Sequence, residues 1–563
     1  MVNLGLAQNL AYSNKQGCGC QSLAAMPVPT KMSLKLYNSK DMAALHAIGQ
    51  RLVADLVQAE SADEKHRRDL YHAEKVNIVG AGGTLTAAYE QLRNAAENTE
   101  EHLLLQNAVR RFYKQIFVTR DERLVQASGN ELAVELTFAG YVPNDTLTRA
   151  QVAAISALAA QHYHLYENLL KRRSLSADSV TNWVLDTLSV QVEQQLSSHL
   201  RDAAFVNFAN EYLQTVIPHD TVVTKNDSSD EYGAALFAAI HKALLKSNTA
   251  VIRTTLLQRY DISTDSVEAY ASFNTRVDNL LTSSLTEKLY RVVDRQGTPL
   301  RILRRMMEDH QEFVQWLPRR EMFLEKFEQQ VNREYEQIGR RINRAIIRSV
   351  LFLIITKFII GIAVEVPYDL WAHGQIIWLP LLVNLVFPPF YMVALRLTHT
   401  LPGFANTTAL VDRVDAMLYG EKIVLVKQKL GADRYGAVFS ALYASFSLVI
   451  FGLVLWVLLM LNFSLVHIGI FFVFISAASF LGFRLSRLIR ELEIVRSSSN
   501  GLTFLRDVIY LPFVVVGQWM SEKYSQVNIV AIILDMLIEL PLKTVLRLIR
   551  QWGAFIDDRK DKI

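Results

Sequence analysis

The sequence predicts an all-α membrane protein in which a large helical region precedes four transmembrane helices. Apolar residues recur every three or four positions through most of the first 348 residues, which is the spacing of amphipathic helices. Four apolar segments follow, each close to the roughly 20 residues that cross a bilayer as a helix. The short loops that join these segments alternate in their content of Lys and Arg, which predicts their sidedness.

The bulk composition bounds the classes of protein that fit this chain. Its 563 residues are too many for one hydrophobic core, so more than one domain is expected. The net charge of +4 is small for this length, and no nucleic-acid partner is predicted. The two cysteines, Cys18 and Cys20, are too close for an ordinary disulfide and lack the second pair of a zinc site. This cysteine usage is typical of a reducing compartment.

The N-terminal part is predicted to be a helical region facing the cytoplasm. Residues 1–31 show neither a signal peptide nor helical periodicity, and we expect a disordered tail there. Residues 32–218 are predicted to form a helical domain, residues 219–230 a polar linker, and residues 231–318 a second helical segment. Apolar and polar residues alternate over residues 131–139, which fits either a strand or a short helix.

A glycine-rich stretch, Gly80 to Gly83, follows a short apolar run. Such a turn is one part of a dinucleotide-binding unit, which also needs a second strand and an acidic residue after it. Residues 87–117 are instead predicted to be helical, so we interpret the glycines as a turn between helices. A membrane-bound nucleotide-dependent enzyme is accordingly the last-ranked functional hypothesis.

Pairs of histidine and carboxylate residues occur three residues apart, at Asp63/His66, Asp69/His72 and His164/Glu167. This spacing puts both side chains on one helix face, as a di-metal bundle requires, but the additional glutamates of such a bundle are not identifiable. We interpret the pairs as solvated helix faces. No catalytic residue, metal ligand or cofactor is predicted.

Residues 319–348 are predicted to form a stalk helix that runs into the first span. The end of this stalk carries a basic collar, which consists of Arg340, Arg341, Arg344 and Arg348. The collar lies where lipid headgroups begin, and each such charge contributes on the order of 1 kcal/mol beside an anionic surface. We therefore predict that the collar contacts anionic lipid.

The predicted spans are residues 349–366, 376–395, 437–461 and 465–483. The loop 365–375 and the hairpin tip 462–464 contain no Lys or Arg, whereas the collar, the loop between spans two and three, and the segment after span four are basic. The positive-inside rule then places both termini in the cytoplasm, and we expect the plasma membrane. In the C-terminal segment, residues 484–563, the apolar stretches 508–520 and 528–550 are predicted to be interfacial amphipathic helices, with a re-entrant pair as the alternative.

Three features inside the predicted spans are candidates for function or packing. Lys357 is the one charge placed within a span. It either attracts an anion or pairs with an acid of a neighbouring helix, or it extends towards the headgroups or is buried in bundle packing. Asn384, Pro388 and Pro389 predict either a break or a packing kink in span two. Ser476, Ser479 and Gly482 predict a helix-packing face in span four. No Asp or Glu is placed deep in a span.

Two functional hypotheses lead. The first is a non-enzymatic scaffold whose cytoplasmic helices bind a protein partner or self-associate. The second is an oligomeric channel or transporter that is gated through the stalk and uses Lys357.

Overall fold

The computed structural model describes residues 45–78, 86–87, 90–91, 93–94, 101–172, 175–217, 219, 229–397, 401–420, 437–495 and 501–526. These residues form an all-helical fold, apart from one isolated bridge between Lys75 and Thr148, and this confirms the predicted fold class. The segments predicted to be a disordered tail and a turn at Gly80–Gly83, and the apolar stretch 528–550, lie outside the described residues.

The N-terminal helical region comprises twelve labelled helices among the described residues. They are α1 Ala47–His72, α2 Leu104–Thr119, α3 Glu122–Phe138, α4 Arg149–Leu170, α5 Ala177–Leu196, α6 Leu200–Val216, α7 Ser229–Ile240, α8 Thr249–Arg259, α9 Val267–Thr282, α10 Ser284–Gln296, α11 Thr298–Asp309 and α12 Phe313–Trp316. The remaining helices are α13 Arg320–Ile360, α14 Val366–His373, α15 Trp378–Leu397, α16 Phe404–Leu418, α17 Ala437–Met460, α18 Leu465–Arg490 and α19 Gly501–Gln526.

The first hydrophobic core lies between helices α2, α3, α4 and α5. Large side chains such as Tyr113, Phe117 and Trp183 are buried there. The alternating stretch belongs to helix α3 up to Phe138, with Ala139 as the C-cap, and Leu132, Ala133 and Leu136 are buried at helical spacing. Packing on α4 therefore decides in favour of the helix rather than the strand for this segment.

The second hydrophobic core contains α1, α6, α7, α10, α11 and the first half of α13. Helices α6 and α7 lie on opposite sides of the linker predicted at 219–230, yet Phe205 and Phe237 are buried in this same core. Two helices that the linker separates in sequence therefore share one core. The division of the helical region into domains stays a prediction, and residues 220–228 lie outside the described residues.

Four helices are long and apolar enough to cross a membrane, as predicted: the continuous helical stretch Arg320–His373, then Trp378–Leu397, Ala441–Met460 and Leu465–Arg490. The first of these joins α13 to α14 through a π-helical turn, Gly361–Glu365. At 1.5 Å per residue this stretch of 54 residues is about 80 Å long. It corrects the predicted end of span one at residue 366 and the predicted loop 365–375, because the acids in this segment are buried rather than exposed to water.

The predicted break in span two is absent from α15, which is continuous from Trp378 to Leu397. Asn384, Pro388 and Pro389 are all buried within it. Each proline removes one backbone hydrogen bond, but packing between neighbouring helices tolerates this loss in a membrane bundle. Here α15 is held between α13 and α18.

A helix that was not predicted, α16, lies between spans two and three and packs on the helical region. Its side chains Leu410 and Val414 are fully buried in the second core. The backbone N–H of His46 donates to Leu418 O at 2.8 Å, and Arg320 forms two hydrogen bonds, of 2.7 and 2.6 Å, with Asp415. Helix α16 is therefore part of the core of the helical region.

Helix α19 packs against the spans. The ring of Phe513 lies 5.0 Å from Phe451 and 6.2 Å from Phe472, and these two residues belong to spans three and four. Gly517 approaches α18 so closely that a Cβ at this position would lie 2.3 Å from Ser476 O. The interfacial location of 508–550 stays a prediction.

Candidate functional site

Lys357 lies inside the transmembrane bundle, where its side chain is only 2% exposed. Its ammonium group forms an ion pair with the carboxylate of Glu365, which is 1% exposed. The ammonium nitrogen also lies 4.9 Å from the ring centre of Phe474 on α18. The lysine therefore does not extend to the headgroups, and its partner lies on the same continuous helix rather than on a neighbouring one.

Asn384 connects this ion pair to two other helices. Its amide Nδ2 donates to Glu365 Oε1 at 3.2 Å and to the carbonyl oxygen of His467 at 3.2 Å. These contacts join the π-helical turn, α15 and the first turn of α18. The residue that was expected to break span two thus holds three helices together.

Asp369 lies one turn beyond Glu365 and faces two imidazoles. Its Oδ2 accepts a hydrogen bond of 3.0 Å from Ile377 N–H and lies 3.6 Å from His467 Nε2. Its Oδ1 lies 3.8 Å from His373 Nδ1. Asp369 and His467 are completely buried, whereas the His373 side chain is 37% exposed.

Ser464 holds His467 in place at the start of α18. The serine hydroxyl lies 2.7 Å from His467 Nδ1 and also accepts the backbone N–H of His467. The other ring nitrogen, Nε2, is thereby directed at Asp369. We call Lys357, Glu365, Asp369, Asn384 and His467 the charge cluster.

Four atoms of the charge cluster have no hydrogen-bond partner among the described residues, although all of them are buried. Three are oxygen acceptors, namely Glu365 Oε2, Asp369 Oδ1 and Asn384 Oδ1, and the fourth is His467 Nε2. The cluster holds one ammonium and two carboxylates, so a neutral His467 leaves it with a net charge of −1. A buried negative charge beside unpaired acceptors is costly in a medium of low dielectric constant.

The spacing of charged residues in the sequence contains a signal for this site that the predicted limits of span one do not use. Lys357, Glu365, Asp369 and His373 are separated by eight, four and four residues, the spacing of one helix face. The acids and His373 were placed in a loop after span one. His467 was not singled out, because it follows the hairpin tip closely and has no neighbouring acid in sequence.

The predicted packing face of α18 contacts two helices. Ser479 Oγ donates to the hydroxyl of Tyr391 on α15 at 3.0 Å. A Cβ on Gly482 would lie 2.8 Å from a methyl carbon of Leu395, also on α15, and Ser476 O faces Gly517 on α19. These residues allow close approach of neighbouring helices, which is structural rather than catalytic chemistry.

The remaining predicted residues lie outside the bundle. The four collar arginines are exposed on α13, and Arg340 pairs with Glu336 one turn earlier at 3.3 Å. Their contact with lipid stays a prediction. His164 lies 3.7 Å from Glu122 on an exposed surface, and the described residues contain no group of three or more His, Cys, Asp or Glu arranged to hold a metal ion.

No protein-family model, curated protein or solved structure matches this chain. The four apolar helices indicate a membrane protein. The charge cluster and its connections to the helical region are the features that bear on function.

Proposed function

We propose that this chain is a non-enzymatic, multi-pass protein of the plasma membrane that couples the charge state of the intramembrane cluster to its cytoplasmic helical region. In this proposal the helical region binds a protein partner, and both termini lie in the cytoplasm. The observation that carries it is the continuity of α13, which holds Lys357 near one end and core residues of the helical region near the other.

Buried contacts run along α13 from the helical region towards the charge cluster. Phe323, Phe327 and Val331 are fully buried in the second core of the helical region. The same cluster of buried residues continues through Ile346 to Leu353, four residues before Lys357. A shift of the helix at the charge cluster therefore displaces side chains of the helical region, because close-packed interfaces transmit such shifts.

Helix α18 provides a second connection. It carries His467 at its start, and the segment that follows its end, Glu491–Val495, is held by the helical region. Asn406 Oδ1 accepts from the backbone N–H groups of Ile494 and Val495 at 2.8 and 3.0 Å. Asn406 Nδ2 donates to Leu492 O at 2.7 Å and to the Tyr335 hydroxyl at 2.7 Å. Two helices that form the charge cluster are thus anchored in the same core.

The chemistry beyond Lys357 favours coupling over passage of an ion through a single chain. On the way back to the helical region, the buried face of α13 presents Leu353, Ile346 and Ile342. Met392 and Phe474 face it from α15 and α18. A pathway through an apolar constriction would need a further opening, so the channel remains the second hypothesis.

The test measures whether charge in the cluster changes the helical region. The full-length protein in lipid nanodiscs is compared with Glu365→Gln by hydrogen–deuterium exchange. We expect amides of α11, α16 and residues 491–495 to exchange about tenfold faster in the variant, which corresponds to about 1.4 kcal/mol of lost local stability.

Two further variants keep the test decisive. Glu336→Gln removes an exposed acid from the same helix outside the cluster and should leave the exchange unchanged. The exchanged pair Lys357→Glu/Glu365→Lys retains one buried ion pair and should restore slow exchange if Glu365→Gln acts through charge. If Glu365→Gln alters only amides of the spans, the proposed coupling is wrong.

A further inference from the structure

A row of titratable side chains connects the buried cluster with the end of the bundle that lies farthest from the helical region. His373 is the last residue of α14 and is partly exposed, Asp369 is one turn deeper, and His467 is fully buried beside it. The successive separations, 3.8 and 3.6 Å, each need only a small side-chain movement to become hydrogen bonds.

The groups that face His467 come from every helix packed around it. They are Asp369, Tyr368 and His373 on α14, Glu365 in the π-helical turn, Lys357 on α13, Asn384 on α15 and Ser464 before α18. With His467 neutral, the ionised groups at the buried end sum to −1. One added proton brings this sum to zero, which removes the cost of a net charge in a medium of low dielectric constant.

The donor set fits a proton better than a metal cation. A hard cation such as Ca²⁺ takes about six to eight oxygen ligands, whereas the cluster has three unpartnered oxygens. The ammonium of Lys357 lies against one of the carboxylates and repels a second cation. An imidazole beside a carboxylate, by contrast, is the arrangement that binds and releases protons near neutral pH.

We propose that the charge cluster is a proton site, in which the pair formed by His467 and Asp369 takes up one proton that enters through His373. The proton is held between His467 Nε2 and the Asp369 carboxylate, and no other bond forms or breaks. This inference rests on the proposed function, because it names the ligand that sets the charge state transmitted by α13 and α18.

The experiment compares the full-length protein in nanodiscs at pH values above and below neutrality, at constant ionic strength. The readout is amide exchange in α11, α16 and residues 491–495, corrected for the intrinsic pH dependence of exchange. We expect about a tenfold difference between the two conditions in the wild type, the signature of a population shift in the coupled region.

The variants identify the group that titrates. His467→Gln and Asp369→Asn both keep a polar side chain in place and should abolish the pH response, while the exposed control His66→Gln should retain it. His373→Gln should leave the size of the pH response unchanged. It should slow the rate at which amide exchange reaches its new value after a change of pH. If His467→Gln responds to pH like the wild type, the assignment of the proton to this pair is wrong.

The outcomes separate the two proposals. If Glu365→Gln alters amide exchange in the helical region but the wild type is insensitive to pH, the proposed coupling is supported and the proposed proton site is wrong. If added Na⁺ at constant pH produces the response, the cluster binds a metal cation instead. If neither Glu365→Gln nor pH changes the helical region, both proposals are wrong.

Discussion

Lys357 is stable in the bundle because Glu365 neutralises it and Asn384 satisfies part of the carboxylate. Removing one partner of a buried ion pair lowers the free energy of unfolding more than removing both partners does. The remaining charge then keeps its full desolvation penalty without a partner. The pair therefore acts as one unit in stability, whatever its role in coupling.

Lys357→Met alone should lower the free energy of unfolding by about 3–5 kcal/mol, because it leaves Glu365 buried and unpaired. The double variant Lys357→Met/Glu365→Met should recover most of this loss. Denaturant titration in detergent micelles measures both. Ile359→Met, an apolar change at an exposed position on the same helix, serves as the control. Equal decreases in the free energy of unfolding of the single and double variants would contradict the prediction that Lys357 and Glu365 stabilise the protein as a pair.

Glu193 on α5 is a buried acid of the helical region. Burial raises its pKa from 4.5 to about 7. The folded state therefore binds the Glu193 proton more tightly than the unfolded state does. The contribution of this proton to the free energy of unfolding is fully present below about pH 4.5 and is lost as the pH rises through about 7.

Glu193→Gln should remove the contribution of this carboxyl group to the pH dependence of the free energy of unfolding. Relative to wild type, the variant should gain stability between pH 4.5 and 7, by at most about 3 kcal/mol, since each pKa unit corresponds to about 1.4 kcal/mol. Unfolding of the full-length protein across this pH range measures the difference. The exposed Glu131→Gln provides the reference, and parallel profiles for wild type and Glu193→Gln would contradict the prediction.

At the scale of elements, α19 packs on α18 through the glycine contact described above. Gly517→Ala should destabilise this packing, because the new methyl group would lie 2.3 Å from Ser476 O and 2.7 Å from Phe480 Cβ. We expect a loss of about 1–3 kcal/mol. The matched change Gly452→Ala on α17 meets no atom within 4 Å and should be neutral or slightly stabilising. Thermal unfolding in nanodiscs compares the two, and an equal effect at both positions would show that α19 does not depend on this approach.

The sequence was sufficient to predict the helical class and the four spans, since these follow from apolar length and periodicity. It was insufficient for α14, because Glu365 and Asp369 carry charges that hydropathy assigns to a loop until Lys357 and His467 are known to face them. Helix α16 escaped notice for a related reason. Its apolar face is covered by α1 and α13, which are distant in sequence.

On the scale of the whole molecule, Asn406 is one of the side chains that hold the end of α18 to the helical region, together with Thr298 and Arg301 on α11. Asn406→Ala removes four hydrogen bonds at a buried position and should cost about 3 kcal/mol, since unsatisfied backbone groups remain. The amide exchange rates of residues 491–495 should increase in the same variant. Thr408→Ala, on the exposed side of the same helix, should change neither quantity. Unchanged exchange at 491–495 in Asn406→Ala would show that other contacts hold this segment.

The contact between Gly49 on α1 and Leu418 at the end of α16 spans 369 residues of sequence (418 minus 49). During synthesis at 5–20 residues per second, the ribosome needs roughly 20–70 s to add these residues. Spans one and two emerge within that interval, before α16 does. The nascent N-terminal region therefore keeps part of its apolar surface uncovered until α16 has been made. Its folding is completed only after insertion of the first two spans into the membrane has begun.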